Sequence, residues 1–193
     1  PLKKYQNFTK SSCCCCHVSL LEKFIYKPFD NCSMFSKKNF EKIRKQLTSY
    51  TQRREHIIKS SRDILRFSKI AISSIHRHDL KAADEHLHAA EALLKEVKKL
   101  AVLDAALSIL GAYTVAVQEY VEAKTFLHFV NTHTLLDLDS LGVEPEDYLI
   151  GLSDLTGELA RRAVLKTISK NYGDVHIVRD FVAGVHDFFL TLD

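Results

Sequence analysis

Between Met34 and Leu110 the chain contains neither glycine nor proline. All six Gly lie at or beyond Gly111, and the three Pro are Pro1, Pro28 and Pro145. Tight turns usually need one of these residues, so a stretch of this kind argues against a sheet protein and for long helices. Cysteine is missing from the same region, the five Cys being Cys13, Cys14, Cys15, Cys16 and Cys32. A secreted chain of this size more often places Cys in its core, so a reducing compartment, and with it a cytoplasmic location, is expected. No uncharged apolar run reaches the roughly 18 residues of a membrane span. Gly-rich phosphate loops and Ser or Cys nucleophile motifs are also lacking, and the ten His form no His-Glu-x-x-His zinc pattern.

What is present is soluble and globular in kind. Hydrophobic residues make up 46% and charged residues 26% of 193 residues, enough for one domain with a real core. The net charge of +3 hides an asymmetry. Residues 34–100 carry 16 Lys and Arg against 8 acids, a net of +8, whereas residues 101–193 carry 6 against 14, a net of −8. One half can attract a polyanion and the other can hold cations, unless the two simply attract each other in the fold.

Residues 1–33 show no helical or strand period. Four adjacent Cys cannot all reach one metal without the intervening loops of zinc sites, and no secretory cleavage pattern is present. Met34 is the only Met, and ordered, charge-rich sequence starts behind it. The expectation is an unstructured, non-native leader over 1–33 and a helical domain over 34–193.

The apolar spacing predicts five long helices in an all-α, antiparallel bundle. The first runs from about Lys37 to Arg77, with Phe40, Ile43, Leu47, Tyr50, Ile57, Ile58, Ile64, Leu65, Ile72 and Ile75 on its apolar side. Lys59, Arg62, Arg66, Lys69 and Arg77 repeat on its other face as a stripe that can track a phosphate backbone, although a stripe of this kind is also what a solvated face looks like. The second runs from about Leu80 to Leu100 behind an Asp79 N-cap. The third is expected over Ala101–Thr132 with Gly111 inside it, the fourth from Pro145 to about Asn171, and the fifth from Val175 to the last residue with an apolar face lacking a visible partner.

Glu119 and Glu122 are three apart on the third helix, and Asp154 and Glu158 four apart on the fourth, so each pair shares a face. Their neighbours are apolar: Val117 and Val121 in one case, Leu152, Leu155 and Leu159 in the other. Acids at such positions are costly unless something positive neutralises them. Mg²⁺, or Mn²⁺ in its place, would do so through carboxylate oxygens. Salt bridges to Lys124, Arg161 or Arg162 would also serve. None of the four acids has a His three residues on, which disfavours a di-iron bundle.

At these residues the sequence resembles the translin family, and within it the translin-associated factor X branch. The resembling segments are Ser60–Ile64 with Ser68-Lys69 and His76-Arg77, then Gln118–Ala123 with Phe126, His128 and Phe129, then Asp147–Gly151 and Asp154-Leu155-Thr156-Gly157-Glu158-Leu159. They cover roughly residues 38–193, and the last block is the most specific. The resemblance implies a helical protomer in a hollow, barrel-like homo-oligomer, an octamer among the options, or one completed by a translin-like partner subunit. It implies binding of single-stranded RNA or DNA and, in this branch, Mg²⁺-dependent endoribonuclease activity carried by Glu119, Glu122, Asp154 and Glu158. Lys59, Arg62, Arg66, Lys69, Arg77, Arg161 and Arg162 would hold the nucleic acid. Residues 1–33 have no counterpart in the family, and a further C-terminal helix of the family is expected to be missing. Two other readings stand beside it: a binding module without catalysis, and a structural helical protein whose acids only pair with Arg or Lys.

Overall fold

The computed structural model describes residues 36–102, 107, 110–173 and 175–192. The leader over 1–33 and most of 103–109 lie outside the described residues. The chain divides into two compact units, residues 1–48 and 49–193. In the first, the described part is the start of helix α1 (Lys37–His76). Phe40, Ile43 and Leu47, expected on an apolar face, are exposed there.

The second unit holds the rest of α1, followed by α2 (Leu80–Ala101), α3 (Gly111–Thr132), a single turn α4 (Leu138–Leu141), α5 (Pro145–Ile168) and α6 (Val175–Phe189). The described residues include no strand, as the all-α reading requires. No helix among them is long and apolar enough to cross a membrane. The core follows the helical period. Ala83, Leu87, Ala90, Leu94, Val97 and Ala101 form an unbroken three- and four-residue seam on α2. α1 answers with Ile57, Ile64, Ala71, Ile72 and Ile75, interleaved with the buried Ser60, Ser61, Ser68 and Ser74. Each fully buried Ile or Leu contributes about 1.5–3 kcal/mol.

The α1/α2 corner is short because His78 adopts a left-handed backbone (φ 64°) and Asp79 caps α2, its Oδ1 accepting the Ala82 N–H at 3.1 Å. α3 begins at Gly111, ten residues later than expected. The apolar spacing runs on across the break, but α2 ends at Ala101 and Leu110 is extended before Gly111. Gly111 therefore opens the helix rather than interrupting it. α5 carries Pro145 in its first turn, with Glu146 and Asp147 behind it, as the helix dipole favours. It ends three residues early, where Lys170 turns left-handed. α6 also stops before the end, at Phe189. Its apolar face has a partner: Val178 and Val185 are buried and the Phe181 ring lies 4.6 Å from that of Phe129.

The antiparallel expectation holds for the α1/α2 and α2/α3 pairs. His56 meets Glu96 and Phe67 stacks near His86 across α1/α2, and Glu91 meets Lys124 across α2/α3. α3 and α5 instead run alongside in the same direction. Gln118 bonds Asp147 at 2.9 Å, and Gly151 faces Gln118 and Val121. Further along both helices, His76 touches Phe126 and Glu158. The His133–Glu144 connection permits this: eight residues at about 3.3 Å each and the four of α4 at about 1.5 Å each reach back along nearly the whole of the 22-residue α3.

Candidate metal centre and nucleic-acid face

α3 and α5 pack closely at Gly151. A Cβ there would stand 2.7 Å from Val121 Cγ1 and 2.8 Å from the Gln118 carbonyl oxygen, so the helix backbones meet where a side chain would hold them apart. Asp154 and Glu158 follow Gly151 by three and seven residues on one face of α5. Glu119 and Glu122 flank Val121 on α3. Because the two helices run the same way, both acid pairs advance together from the crossing. α1 runs the same way again and adds Lys69 and His76, seven residues apart on one face.

Glu122 is the most buried of the acids, 7% exposed. Its carboxyl is pushed up to about 8 by burial first, then by Glu119, Asp154 and Glu158, with Lys69 opposing. Glu119 is raised for the same main reason, burial, with Asp154 and Glu158 adding and Lys69 opposing. Lys69 Nζ stands 4.0 Å from Glu119 Oε1. Glu158 Oε2 accepts from His76 Nε2 at 2.5 Å and from Arg161 Nη1 at 3.4 Å. Asp154 is exposed. Glu119 and Glu122 thus each feel the charge of Asp154 and Glu158.

Their donor chemistry suits Mg²⁺ or Mn²⁺: all-oxygen, hard, and more negative than the site tolerates near neutral pH without a cation. As placed, no three His, Cys, Asp or Glu side chains among the described residues converge closely enough to chelate one ion. The fit is therefore one of donor type and charge.

The basic stripe of α1 is exposed throughout. Arg62, Arg66, Lys69 and Arg77, with Leu65, Ile70 and Ser73, line a shallow groove. Arg66 pairs with Asp63 at 3.0 Å and lies over the Phe67 ring. Arg77 donates to Ser73 and Ser74. Lys69 belongs to both regions, since it lines the groove and faces Glu119. Arg161 and Arg162 sit apart from the stripe: Arg161 is bonded to Glu158, and part-buried Arg162 donates to the Ile75 carbonyl at the end of α1. His76, named from the sequence only within the His76-Arg77 segment of the resemblance, is the site neighbour that carried no expected role. The available signal was its seven-residue step from Lys69, which places it on the face turned to the acids.

An all-helical protomer with coupled carboxylates beside a basic groove defines the class. The Translin family model matches residues 52–193, and the chain belongs to the Translin family. It is similar to Translin-associated protein X of Rattus norvegicus, 27% identical over 191 residues, covering 78% of this chain and 66% of that protein. An uncharacterized protein of Methanocaldococcus jannaschii is 28% identical over 141 residues, 72% of this chain and 63% of its own length. The chain therefore spans about two thirds of the length of the curated relatives it matches. Among solved structures, the AfC3PO–duplex RNA complex has a TM-score of 0.71 at 26% identity, covering 80% of this chain and 81% of its own. Apo-NeC3PO, at 20% identity and a TM-score of 0.67 over 81% of this chain and 96% of its own, shares the fold.

Proposed function

We propose that this chain binds RNA along the α1 groove and cleaves single-stranded RNA internally with a divalent cation held by Glu119, Glu122, Asp154 and Glu158. The observation that carries the reading is the near-buried Glu122, raised by its burial and then by three neighbouring acids, next to a groove lined by four cations. The relative solved with duplex RNA supports the polyanion half of it. Lys59, Arg62, Arg66 and Arg77 would hold backbone phosphates, which positions an RNA without reading its bases. Lys69 would stand between the last phosphate in the groove and the acids. Mg²⁺ or Mn²⁺, when bound, supplies Lewis-acid polarisation of the phosphodiester and a more acidic water. Assembly is proposed to be a barrel-like homo-oligomer or an oligomer with a translin-like subunit, in the cytoplasm.

A second reading, an RNA-binding subunit without catalysis, is favoured by two observations. Glu119 and Glu158 already face cationic or His partners, and the carboxylates do not converge as placed. Incubation of labelled single-stranded RNA with the protein in Mg²⁺ and in EDTA, beside Glu122→Ala, separates the two. Cleavage that needs Mg²⁺ and vanishes in the variant establishes the nuclease. RNA bound equally with and without EDTA and never cut leaves the binding module. A parallel lane of duplex RNA tests the strandedness of the substrate.

A further inference from the structure

We propose that His76 is a positioning residue of the acid site: it holds Glu158 by one carboxylate oxygen and so fixes how the other is offered to a cation. The inference rests on the metal site proposed above and adds to it a residue that ligates nothing itself.

Glu158 reaches the site on a long side chain whose ordering costs rotamer freedom. Two donors meet it, His76 Nε2 and Arg161 Nη1, and both take Oε2. Oε1 has no donor among the described residues, so it is the oxygen left for a cation. The donors differ in quality. Arg161 is itself exposed and reaches at 3.4 Å. The His76 side chain is 7% exposed, its ring lies 5.1 Å from that of Phe126, and it is the last residue of α1. Packing therefore fixes the imidazole plane and, through it, the carboxylate.

The other ring nitrogen strengthens the case. His76 Nδ1 is buried without a hydrogen-bond partner. Leaving a buried polar atom unpaired is unfavourable, a cost that an apolar ring of the same size would avoid. Nε2 is the ring nitrogen that meets Glu158, and Nδ1 is left without a partner. The imidazole is accounted for by what Nε2 does rather than by the space it fills. Ligating carboxylates are commonly held by hydrogen bonds of this kind, and losing such a partner typically weakens metal binding about 10–100-fold.

The test reads metal binding rather than activity. Mn²⁺ is titrated into the full chain, and the free ion is followed by its electron paramagnetic resonance signal. Glu158→Gln, His76→Leu, His76→Gln and His76→Asn are compared with the unaltered protein, and circular dichroism melts report folding. Glu158→Gln and His76→Leu are expected to weaken Mn²⁺ about 10–100-fold. His76→Gln, whose amide nitrogen reaches about as far as Nε2, stays within about threefold, and His76→Asn, one methylene shorter, follows His76→Leu. Unweakened Mn²⁺ binding by His76→Leu and His76→Asn, with binding lost in Glu158→Gln, overturns the positioning role and leaves the metal site standing. Mn²⁺ binding by the unaltered protein no tighter than by Glu158→Gln overturns the metal reading and this inference with it. Should His76→Leu not fold, the Gln and Asn pair decides, and equal affinity in that pair overturns the proposal.

Discussion

The basic groove of α1 and the acid pairs of α3 and α5 carry charge of opposite sign within one helical unit, and they hold it under different solvation. Lys59, Arg62, Arg66, Lys69 and Arg77 all face water. Their mutual repulsion is screened, so each acts nearly alone, apart from Lys69, which also faces Glu119. Glu122 is 7% exposed, and its protonation depends on burial and on three other acids. Charges in water add, whereas charges withdrawn from it become one coupled system. The halves of the sequence have the same magnitude of net charge, but removing a residue from one is a local event and from the other a collective one.

The sharpest way to break this contrast is Glu122→Ala. Single-turnover cleavage of RNA should fall by at least about 100-fold while filter binding of the same RNA changes less than about twofold. An equal fall in both would merge the two regions into one binding surface. Next in size is Gly151→Ala, which pushes a methyl into the Gln118 backbone oxygen and the Val121 side chain. Overpacking of this kind costs about 1–3 kcal/mol, read from the urea midpoint. Because Gly151 sets the α3/α5 crossing, the variant should also lower Mn²⁺ affinity, whereas a groove variant should not.

A pH series sharpens the same point. The carboxyl of Glu122 is raised to about 8 in the fold from its ordinary 4.5, so between those values the folded chain holds a proton that the unfolded chain releases. Stability from this group is undiminished below about pH 4.5 and declines as pH rises towards about 8, where the loss levels off. Glu122→Gln should abolish that decline and be the more stable by about 1–3 kcal/mol above pH 8. Saturating Mg²⁺ should recover part of it for the unaltered protein, both read from thermal melts. The smallest effects belong to the groove. Arg62→Ala or Arg66→Ala should weaken RNA binding a few-fold each, nearly additively, and lower the salt slope by about 0.7 per lost phosphate contact on a single strand. A strongly non-additive double variant would show that the groove too is a coupled system.

Much of this was readable in advance because it follows from period and punctuation. The seam of α2, the Asp79 cap and the Pro145 start are local facts, and the spacing of Glu119 with Glu122 and of Asp154 with Glu158 fixes which acids share a face. The start of α3 was not readable, since the apolar period runs through the break and only the extended backbone at Leu110 marks it. The buried side of α1 was misjudged in part. Ser60, Ser61, Ser68 and Ser74 are buried while Ile58 and Leu65 are only half-buried, because close helix contact selects small side chains that a hydrophobicity pattern passes over. Spacing also cannot give the direction of α5 against α3. It can place two acids on each helix but not make the pairs advance together, and it gives no reason to bring His76 to Glu158.

The same parallel arrangement has a kinetic meaning. The hydrogen bond from His76 to Glu158 joins residues 82 apart in sequence, and that from Arg162 to the Ile75 carbonyl spans 87, whereas the α1/α2 and α2/α3 hairpins form from near neighbours. Closing a long loop is entropically slower than zipping a hairpin. The acid site is therefore expected to form after the hairpins and, under mild denaturant, to come apart while helicity persists. Mn²⁺ affinity should therefore fade at lower urea than the far-ultraviolet signal, so that the protein loses its chemistry before it loses its shape.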